Sequence, residues 1–469
     1  MKRAILILMT TAALAGCKIA GPNYQRPPVA IPEQFYGANG VASPASLADA
    51  PWWDVFGDPT LRSLIDEALR NGYDARIAAA RVEEARARYG VVNADRYPTV
   101  GYEINPTRQR VGGKGTTILI AGAGISWEAD LWGRIRRQNE AGLALYLASE
   151  EGQRAALLTL TSEVATAYFD LRELDAELDI ARRSTKTFHE TYDLFDRQLR
   201  GGTASGLETS RAEALLANES AEIPNLEQQI VAQENRINFL LGRPPGPIAR
   251  GAALADLPPP PAVPAGLPSA LLLRRPDLRA AEQQLIAANA NIGVAEAAFY
   301  PTLTLTGLAG GQSSDLANIV SHGPAWSIGA GLLGPIYNHG RLRNQHRVAV
   351  AQFEQARLQY EQDVMNALGE VSTSIVTMDR LAAAEHERTR ALRANQEAVR
   401  LVNLRYASGL SAYFEVLDAM EQLLTVENNV ARTRRDRLVE LVQFYRALGG
   451  GWKTEMATSS MTPPAPPAK

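Results

Sequence analysis

Residues that carry chemistry are scarce in this sequence. Cys17 is the only cysteine among 469 residues, which excludes a disulfide framework within the chain and a site built from several thiolates. Histidine is limited to five residues, and only His339 and His346 lie close together, without a nearby carboxylate cluster. No Ser/His/Asp set or pair of carboxylates has a catalytic spacing. We therefore predict no metal site, no cofactor and no enzymatic activity.

An excess of charge and a long apolar run are absent as well. The 48 basic and 51 acidic residues leave a net charge of −3, and no basic patch points to nucleic acid as a partner. No stretch reaches the roughly 18 consecutive apolar residues of a membrane-spanning helix. If the mature chain crosses a membrane, it must do so as a closed β-barrel, in which every backbone polar group is paired.

The N-terminus has the pattern of a targeting segment. Lys2 and Arg3 precede a short apolar stretch, Ala4–Ala15, which is too short to span a bilayer. Leu14-Ala15-Gly16-Cys17 resembles the bacterial lipobox, in which the cysteine is acylated and becomes the first residue. Lys18, which is not acidic, favours onward transport to the outer membrane. The alternative is an ordinary signal peptide followed by an incidental cysteine.

The chain repeats itself. Asp74–Val100 aligns with Asp277–Leu303 at an offset of 203 residues, and the offset is 207 from Gly133, which matches Gly340. An offset this constant indicates a duplicated unit. Each half is predicted to contain a helix, a β-hairpin, a very long helix and a further helix.

These patterns predict the organisation of the whole chain. In order, we expect a signal peptide at 1–16, an acylated arm at 17–51, repeat 1 at 52–245, a Pro/Gly-rich linker at 246–268, repeat 2 at 269–453 and a disordered tail at 454–469. Repeat 1 would hold a helix at about 60–95, a hairpin at about 98–128 and helices at 133–200 and 205–241. Repeat 2 would hold a helix at about 269–299, a hairpin at about 301–335 and helices at 340–408 and 411–448. Polar turns are expected at 106–115 and 313–323.

The first long helix carries a heptad pattern. Apolar residues recur at alternating steps of three and four between Leu157 and Leu199, interrupted only by Thr185. At about 1.5 Å per residue this helix would span about 100 Å, which the two shorter helices of each half match when placed end to end. A simple cytoplasmic coiled coil is the alternative, and the strand pairs and the signal peptide argue against it.

The predicted strands alternate between apolar and polar side chains. Pro301–Thr306 alternates leucine with threonine, and Val100, Tyr102 and Ile104 alternate with Thr99, Gly101 and Glu103. One face would suit lipid and the other water. Four strands per chain are too few for a barrel, and eight would be filled by side chains, so conduction requires about twelve strands from three chains. Trp127 and Trp326 would lie either at the membrane interface or in the core.

Several short motifs are spread over the chain. They are Gly21-Pro22-Asn23-Tyr24, Trp52-Trp53, Phe56-Gly57-Asp58-Pro59, Trp127 to Arg134, Pro264 to Pro268, Arg274 to Asp277, Phe299-Tyr300-Pro301, Pro335-Ile336-Tyr337 with Gly340-Arg341, and Ala447 to Trp452. Together these motifs resemble the TolC/OprM-like outer-membrane efflux factors, in the lipoprotein branch often labelled NodT, over about residues 14–452. The resemblance implies a mainly α fold with a small β part. Four strands per chain would form a trimeric 12-stranded β-barrel, and the coiled-coil helices would form a periplasmic α-barrel.

The same resemblance implies a function and partners. Members are passive outer-membrane exit ducts for drugs or other small molecules, anchored by lipid and extending into the periplasm. The expected partners are two further copies of the chain, a periplasmic membrane-fusion adaptor, an inner-membrane pump of the resistance-nodulation-division (RND) class and outer-membrane lipid. Alternatives are protein export with a type I secretion pump, a structural envelope spacer without a pore, and a secreted hydrolase. The alternating strands argue against a spacer, and the absence of a site argues against a hydrolase.

Two helix turns and the carboxylates beside them are the candidate functional residues. Glycine in each turn permits the positive φ that reverses a helix. A plain interhelical turn is the alternative. The resemblance implies adaptor docking at the turns and an aperture gate at the carboxylates and tyrosine beside them. Lipidation is expected at Cys17. The docking residues are Gly201, Gly202, Thr203, Ser205, Gly409, Leu410 and Ser411; the gate residues are Glu208, Tyr406, Glu415 and Asp418.

The candidate gate departs from part of the family at one position. Ser411 stands where some members carry an arginine that locks the gate ionically, so a salt-bridge lock is not expected there. By the repeat, Glu208 and Glu415 are equivalent, and a trimer would crowd six such carboxylates and three copies of Asp418 around the tip. Like charges at close range repel and recruit cations. The alternative is a solvated helix end that carries charges.

Overall fold

The computed structural model describes residues 19–38, 57–257, 266–313 and 324–450. The predicted signal peptide, Cys17, the tail and most of the second hairpin turn lie outside these ranges. The described residues are mainly helical with one four-stranded antiparallel sheet, which confirms the predicted fold class. The first half contains α1 (Pro59–Asn71), α2 (Tyr73–Ala94), β1 (Thr99–Val111), β2 (Lys114–Ala129), α3 (Arg134–Arg200) and α4 (Gly206–Leu241).

The second half follows the same order. A 3-10 turn at Pro268–Ala270 precedes its helices and strands. None of the described helices is long and apolar enough to cross a membrane. The elements are α5 (Leu271–Arg274), α6 (Pro276–Ala297), β3 (Thr302–Ser313), β4 (Pro324–Leu333), α7 (Arg341–Ala407) and α8 (Tyr413–Ala447).

The chain divides into two compact units. The first comprises Met1–Val29, Ala80–Gly152 and Asp277–Asp363 and contains the sheet. The second comprises Ala30–Ala79, Gln153–Pro276 and Val364–Lys469. Its core is built on the heptad side of α3. Among its fully buried side chains are Tyr168, Phe169, Leu171, Ile237, Leu61 and Ile65.

The first hairpin turn is shorter than the polar stretch 106–115 predicts. β1 continues to Val111, and Gly112 and Gly113 alone connect it to Lys114 in β2. Both glycines have positive φ, 58° and 83°, as a two-residue hairpin turn requires. The polar residues after Pro106 therefore belong to the strands and not to a loop.

The first helix of each half is broken where the sequence predicts one continuous helix. α1 ends at Asn71, and the Gly72 N–H caps it by donating to the Ala68 carbonyl at 2.8 Å. A Cβ on Gly72 would lie 2.7 Å from the Leu240 carbonyl oxygen, so the close approach of the α4 end requires glycine here.

In the second half the break falls before Pro276. Proline has no N–H and disfavours a helical conformation in the preceding residue, so α5 ends at Arg274. The buried Arg275 side chain donates to the Ala447 carbonyl at 3.0 Å and pairs with Glu370 at 2.6 Å. The break thus lets an arginine tie α5 to the end of α8.

We predict that Gly72→Ala destabilises the protein by about 1–3 kcal/mol, because the new methyl group overlaps two backbone carbonyls. Gly369→Ala is the matched control, because a Cβ at this helical position meets nothing within 4 Å. It should be neutral or stabilising by about 0.5–1 kcal/mol. Thermal unfolding of the purified protein measures both, and equal melting temperatures would contradict the prediction.

Candidate functional site

The first helix turn reverses the chain between α3 and α4. Gly202 has φ 72°, and its neighbours satisfy the last carbonyls of α3: the Thr203 N–H donates to Gln198 O at 2.9 Å, and the Gly201 N–H donates to Arg197 O at 3.0 Å. Positive φ at this position favours glycine, which explains why the sequence signal for the turn is clear. Gly201, Gly202 and Thr203 are all exposed.

A capping box starts α4. The Ser205 hydroxyl accepts from the Glu208 N–H at 3.4 Å, and the Glu208 carboxylate accepts from the Ser205 N–H at 2.9 Å. This arrangement pairs backbone donors that the first turn of a helix leaves free. Glu208, predicted as a gate residue, therefore has a local structural contact that the sequence reading did not include.

The second turn, between α7 and α8, repeats the glycine reversal of the first but differs in the cap that follows it. Gly409 has φ 70°, and the Leu410 N–H donates to the Arg405 carbonyl at 2.9 Å. Leu410 itself is 71% exposed. Ala412 occupies the position equivalent to Ser205 and provides no side-chain cap, so the start of α8 lacks a capping box.

Of the candidate carboxylates, Glu415 and Asp418 are exposed on α8. Asp418 accepts a hydrogen bond from the Gln422 side chain at 2.8 Å. Glu415 is the repeat equivalent of Glu208 but has no serine to pair with. The two positions are therefore equivalent in sequence and different in contacts.

An aromatic cluster brings the two helix pairs together inside the second unit. The Phe195 and Tyr413 rings lie 3.9 Å apart between centroids, and the Tyr406 ring lies 5.2 Å from Tyr413. Val416 and Ala212 complete the buried centre. Burial raises the pKa of Tyr413. Tyr406 was predicted from the resemblance, whereas Phe195 entered only as a heptad position and Tyr413 was missed.

The register of the sheet separates two faces. Rows of directly paired residues on one face are apolar or glycine, and alternate rows carry hydroxyls, Glu103 and glycine, with Leu308 and Ala325 as the apolar members. The apolar rows are Val100–Ile125–Gly307–Ile328, Tyr102–Ala123–Ala309–Trp326 and Ile104–Ala121–Gly311–Pro324. The alternate rows are Thr99–Ser126–Thr306–Gly329, Gly101–Gly124–Leu308–Ser327 and Glu103–Gly122–Gly310–Ala325.

The polar face carries a shallow depression, and large apolar side chains are exposed on the other face. A depression of about 420 Å³ on the polar face is lined by Thr99, Glu103 and Ser126, among others. On the other face Trp326 is 74% exposed, whereas the Trp127 indole donates to the Arg96 carbonyl at 3.1 Å. In an antiparallel sheet such alternation is typical of a wall between an apolar and an aqueous medium.

The N-terminal arm is held against the helices of the first unit. The Arg137 guanidinium donates to the Ala20 and Gly21 carbonyls at 3.1 and 3.2 Å. Tyr24 donates to Glu282 at 3.2 Å, and burial, followed by this carboxylate, raises the pKa of the phenol. The Gly21-to-Tyr24 motif therefore has a positioning role.

Amphipathic strands, long helices and two copies of one repeated unit are typical of a class of membrane channels. Comparison with known proteins identifies the family. The Outer membrane efflux protein family matches residues 64–243 and 267–450, and the chain belongs to this family. It is the outer-membrane channel of an efflux system and not an enzyme, as predicted.

Relatives match over nearly their whole length. The probable outer membrane lipoprotein SilC of Salmonella typhimurium is 35% identical, with 96% of this chain and 99% of SilC covered. The toluene efflux pump outer membrane protein TtgI of Pseudomonas putida is 34% identical, with the same coverage. The solved open state of the Neisseria gonorrhoeae MtrE outer membrane channel superposes with a TM-score of 0.84 at 33% identity, covering 92% of this chain and 98% of MtrE.

The unequal caps predict opposite effects of two substitutions. Ser205→Ala should destabilise the start of α4 by about 1 kcal/mol, and Ala412→Ser should stabilise the start of α8 by a similar amount, since it completes a capping box with Glu415. Hydrogen–deuterium exchange of the first turns of both helices measures the change. Exposed Ser210, inside α4, provides the control Ser210→Ala, and equal exchange in all three variants would refute the assignment.

Proposed function

We propose that this channel is a passive exit duct for drugs or other small molecules that an inner-membrane RND pump delivers through a periplasmic adaptor. The two-faced sheet carries this proposal, because a passage through a bilayer needs an apolar wall outside and a polar wall inside. TtgI is named for toluene, which is one example of the cargo class.

The edges of the sheet support a homotrimer. Among the described residues, the strand order β1-β2-β3-β4 leaves one side of β1 and one side of β4 unpaired. In the hydrocarbon of a bilayer every unpaired backbone group costs several kcal/mol, so neighbouring copies must supply the missing strands. Three copies give twelve strands, enough for an open lumen.

The two helix turns are the proposed docking points for the adaptor hairpins. Gly201, Gly202, Thr203 and Ser205 in the first turn and Gly409, Leu410 and Ser411 in the second belong to this surface. Exposed Leu410 and Leu207, at 71% and 63%, supply apolar contacts that a helical hairpin tip can cover.

The aperture gate is proposed at Tyr406, Glu208, Glu415 and Asp418. Of the three carboxylates, Glu415 and Asp418 are exposed on α8 and could line a narrow opening, whereas Glu208 is engaged in its cap. Ser411 offers no positive charge for an ionic lock. Packing of Tyr406 and Tyr413 on Phe195 supports closure by aromatic contact instead.

Lipid attachment at Cys17 completes the proposal. Several acyl chains at one terminus anchor a protein stably, where a single chain is marginal. We expect Cys17→Ser to abolish palmitate labelling while Cys17 in the parent chain is labelled. Labelling that persists in the variant would remove the lipoprotein assignment.

Conduction is tested with neighbouring residues on the two faces of β4. Purified protein in a planar bilayer should conduct, and Ser327→Arg, on the polar face, should still assemble and change the conductance. Ile328→Arg places a charge on the apolar face, where it costs about 2–4 kcal/mol near the bilayer centre, and should reduce insertion. An envelope spacer would show no conductance at all, and equal tolerance of both arginines would contradict the assignment of the faces.

A further inference from the structure

Two corners of the first unit, where helix meets strand, contact each other within the chain. Trp132, between β2 and α3, stacks on Tyr300, between α6 and β3, with ring centroids 4.7 Å apart and planes inclined by 21°. The Trp132 indole N–H also donates to the Pro301 carbonyl at 2.8 Å. This contact closes the junction below the paired strands β2 and β3.

The internal repeat places equivalent residues at the other two corners. Tyr97 and Pro98 correspond to Tyr300 and Pro301 at the offset of 203, and His339 corresponds to Trp132 at the offset of 207. The following glycine has φ 80° at Gly133 and 77° at Gly340, and both begin a long helix in the same way.

Among the residues that the structure describes, these two corners have no such contact. They flank β1 and β4, the opposite edges of the sheet. Tyr97 is 65% exposed, and Tyr337, two residues before His339, is 77% exposed. Because β4 must pair with β1 of a neighbouring copy in the proposed ring, its corner then meets the corner that contains Tyr97.

We propose that Tyr97 and Pro98 of one copy pack against Tyr337 and His339 of the next, repeating between copies the contact that Trp132 makes within the chain. This inference rests on the ring of copies proposed above. It assigns residues to the junction, with a second copy of the chain as the partner.

The chemistry of the corner fits this role. The Tyr337 hydroxyl lies 3.3 Å from His339 Nδ1, and the two rings are 4.8 Å apart. When the hydroxyl donates to Nδ1, the imidazole proton resides on Nε2. His339 then presents a ring N–H, as Trp132 does, and the Pro98 carbonyl of the next copy is its expected acceptor. His339 also has φ 51°, which is uncommon for a residue other than glycine.

Exposed aromatic side chains at strand ends also suit a lipid headgroup region. Two observations favour a second copy. The repeat equivalents are already engaged in a protein contact, and the corner lies directly below an unpaired strand edge. A lipid-facing corner is therefore treated as an alternative outcome of the test.

The scarcity of cysteine makes cross-linking decisive. The double variant Tyr97→Cys, His339→Cys is treated in membranes with a short bismaleimide and examined on a denaturing gel. We expect covalent dimers and trimers from the double variant and only monomer from each single variant, because each link needs both cysteines. Cys17 is present in the double variant and in both single variants, so the single variants control for any cross-link that Cys17 forms.

Failure of the inference and failure of the proposed function are distinguishable. Suppose that the protein conducts and is a trimer by native mass spectrometry, but the double variant yields only monomer on cross-linking. This result would overturn the assignment of the corner and leave the duct intact. Efficient labelling of both cysteines by a lipid-phase maleimide would do the same. Absence of both oligomer and conductance would overturn the inference together with the duct.

Ring chemistry at the junction gives a second readout. Tyr97→Ala should lower the temperature at which the trimer dissociates on a semi-native gel by several degrees, whereas Tyr97→Phe should match the parent chain, because stacking needs the ring and not the hydroxyl. Equal dissociation temperatures for the alanine and phenylalanine variants would contradict the stacking contact.

Discussion

The hydrogen-bonding groups at the two sheet edges constrain the rest of this molecule. In the described part of the chain, β1 and β4 each leave one side unpaired, while the rows of one face, from Val100 to Pro324, are apolar. An exposed edge in water invites aggregation, and in hydrocarbon it is prohibitively unfavourable. In the proposed homotrimer, neighbouring copies pair these edges, so the proposed assembly is a consequence of strand chemistry and not an independent property.

The pairing register of the four strands depends on individual residues. A slip of one residue in any strand would exchange the apolar and polar faces, since the side-chain period of a strand is two. The two-residue turn at Gly112 and Gly113 sets the first hairpin, and the facing glycines Gly122 and Gly310 approach so closely that a Cβ on either would overlap the opposite backbone. Small residues in these strands thus fix the pairing that keeps the apolar and polar faces apart.

Periodicity and duplication were sufficient to predict the fold class, because heptad spacing and strict alternation are local in sequence. The breaks at Gly72 and before Pro276 were not predicted. The first depends on the end of α4 approaching from far along the chain, and the second on a buried arginine that reaches α8. Glycine located the helix turns, but no local pattern indicates that Phe195 and Tyr413 meet, since their contact joins two helix pairs.

Duplication also allowed the halves to diverge in how equivalent points are held. α4 begins with a cap made by Ser205, the residue directly before the helix, so its start is stabilised locally. α8 begins without a cap at Ala412, and the next residue, Tyr413, is instead packed against Phe195 of α3. A local cap survives separation of the helix pairs, whereas an inter-helix packing contact does not. Any movement that parts the two pairs at the tip therefore acts first on the start of α8, beside the exposed carboxylates Glu415 and Asp418.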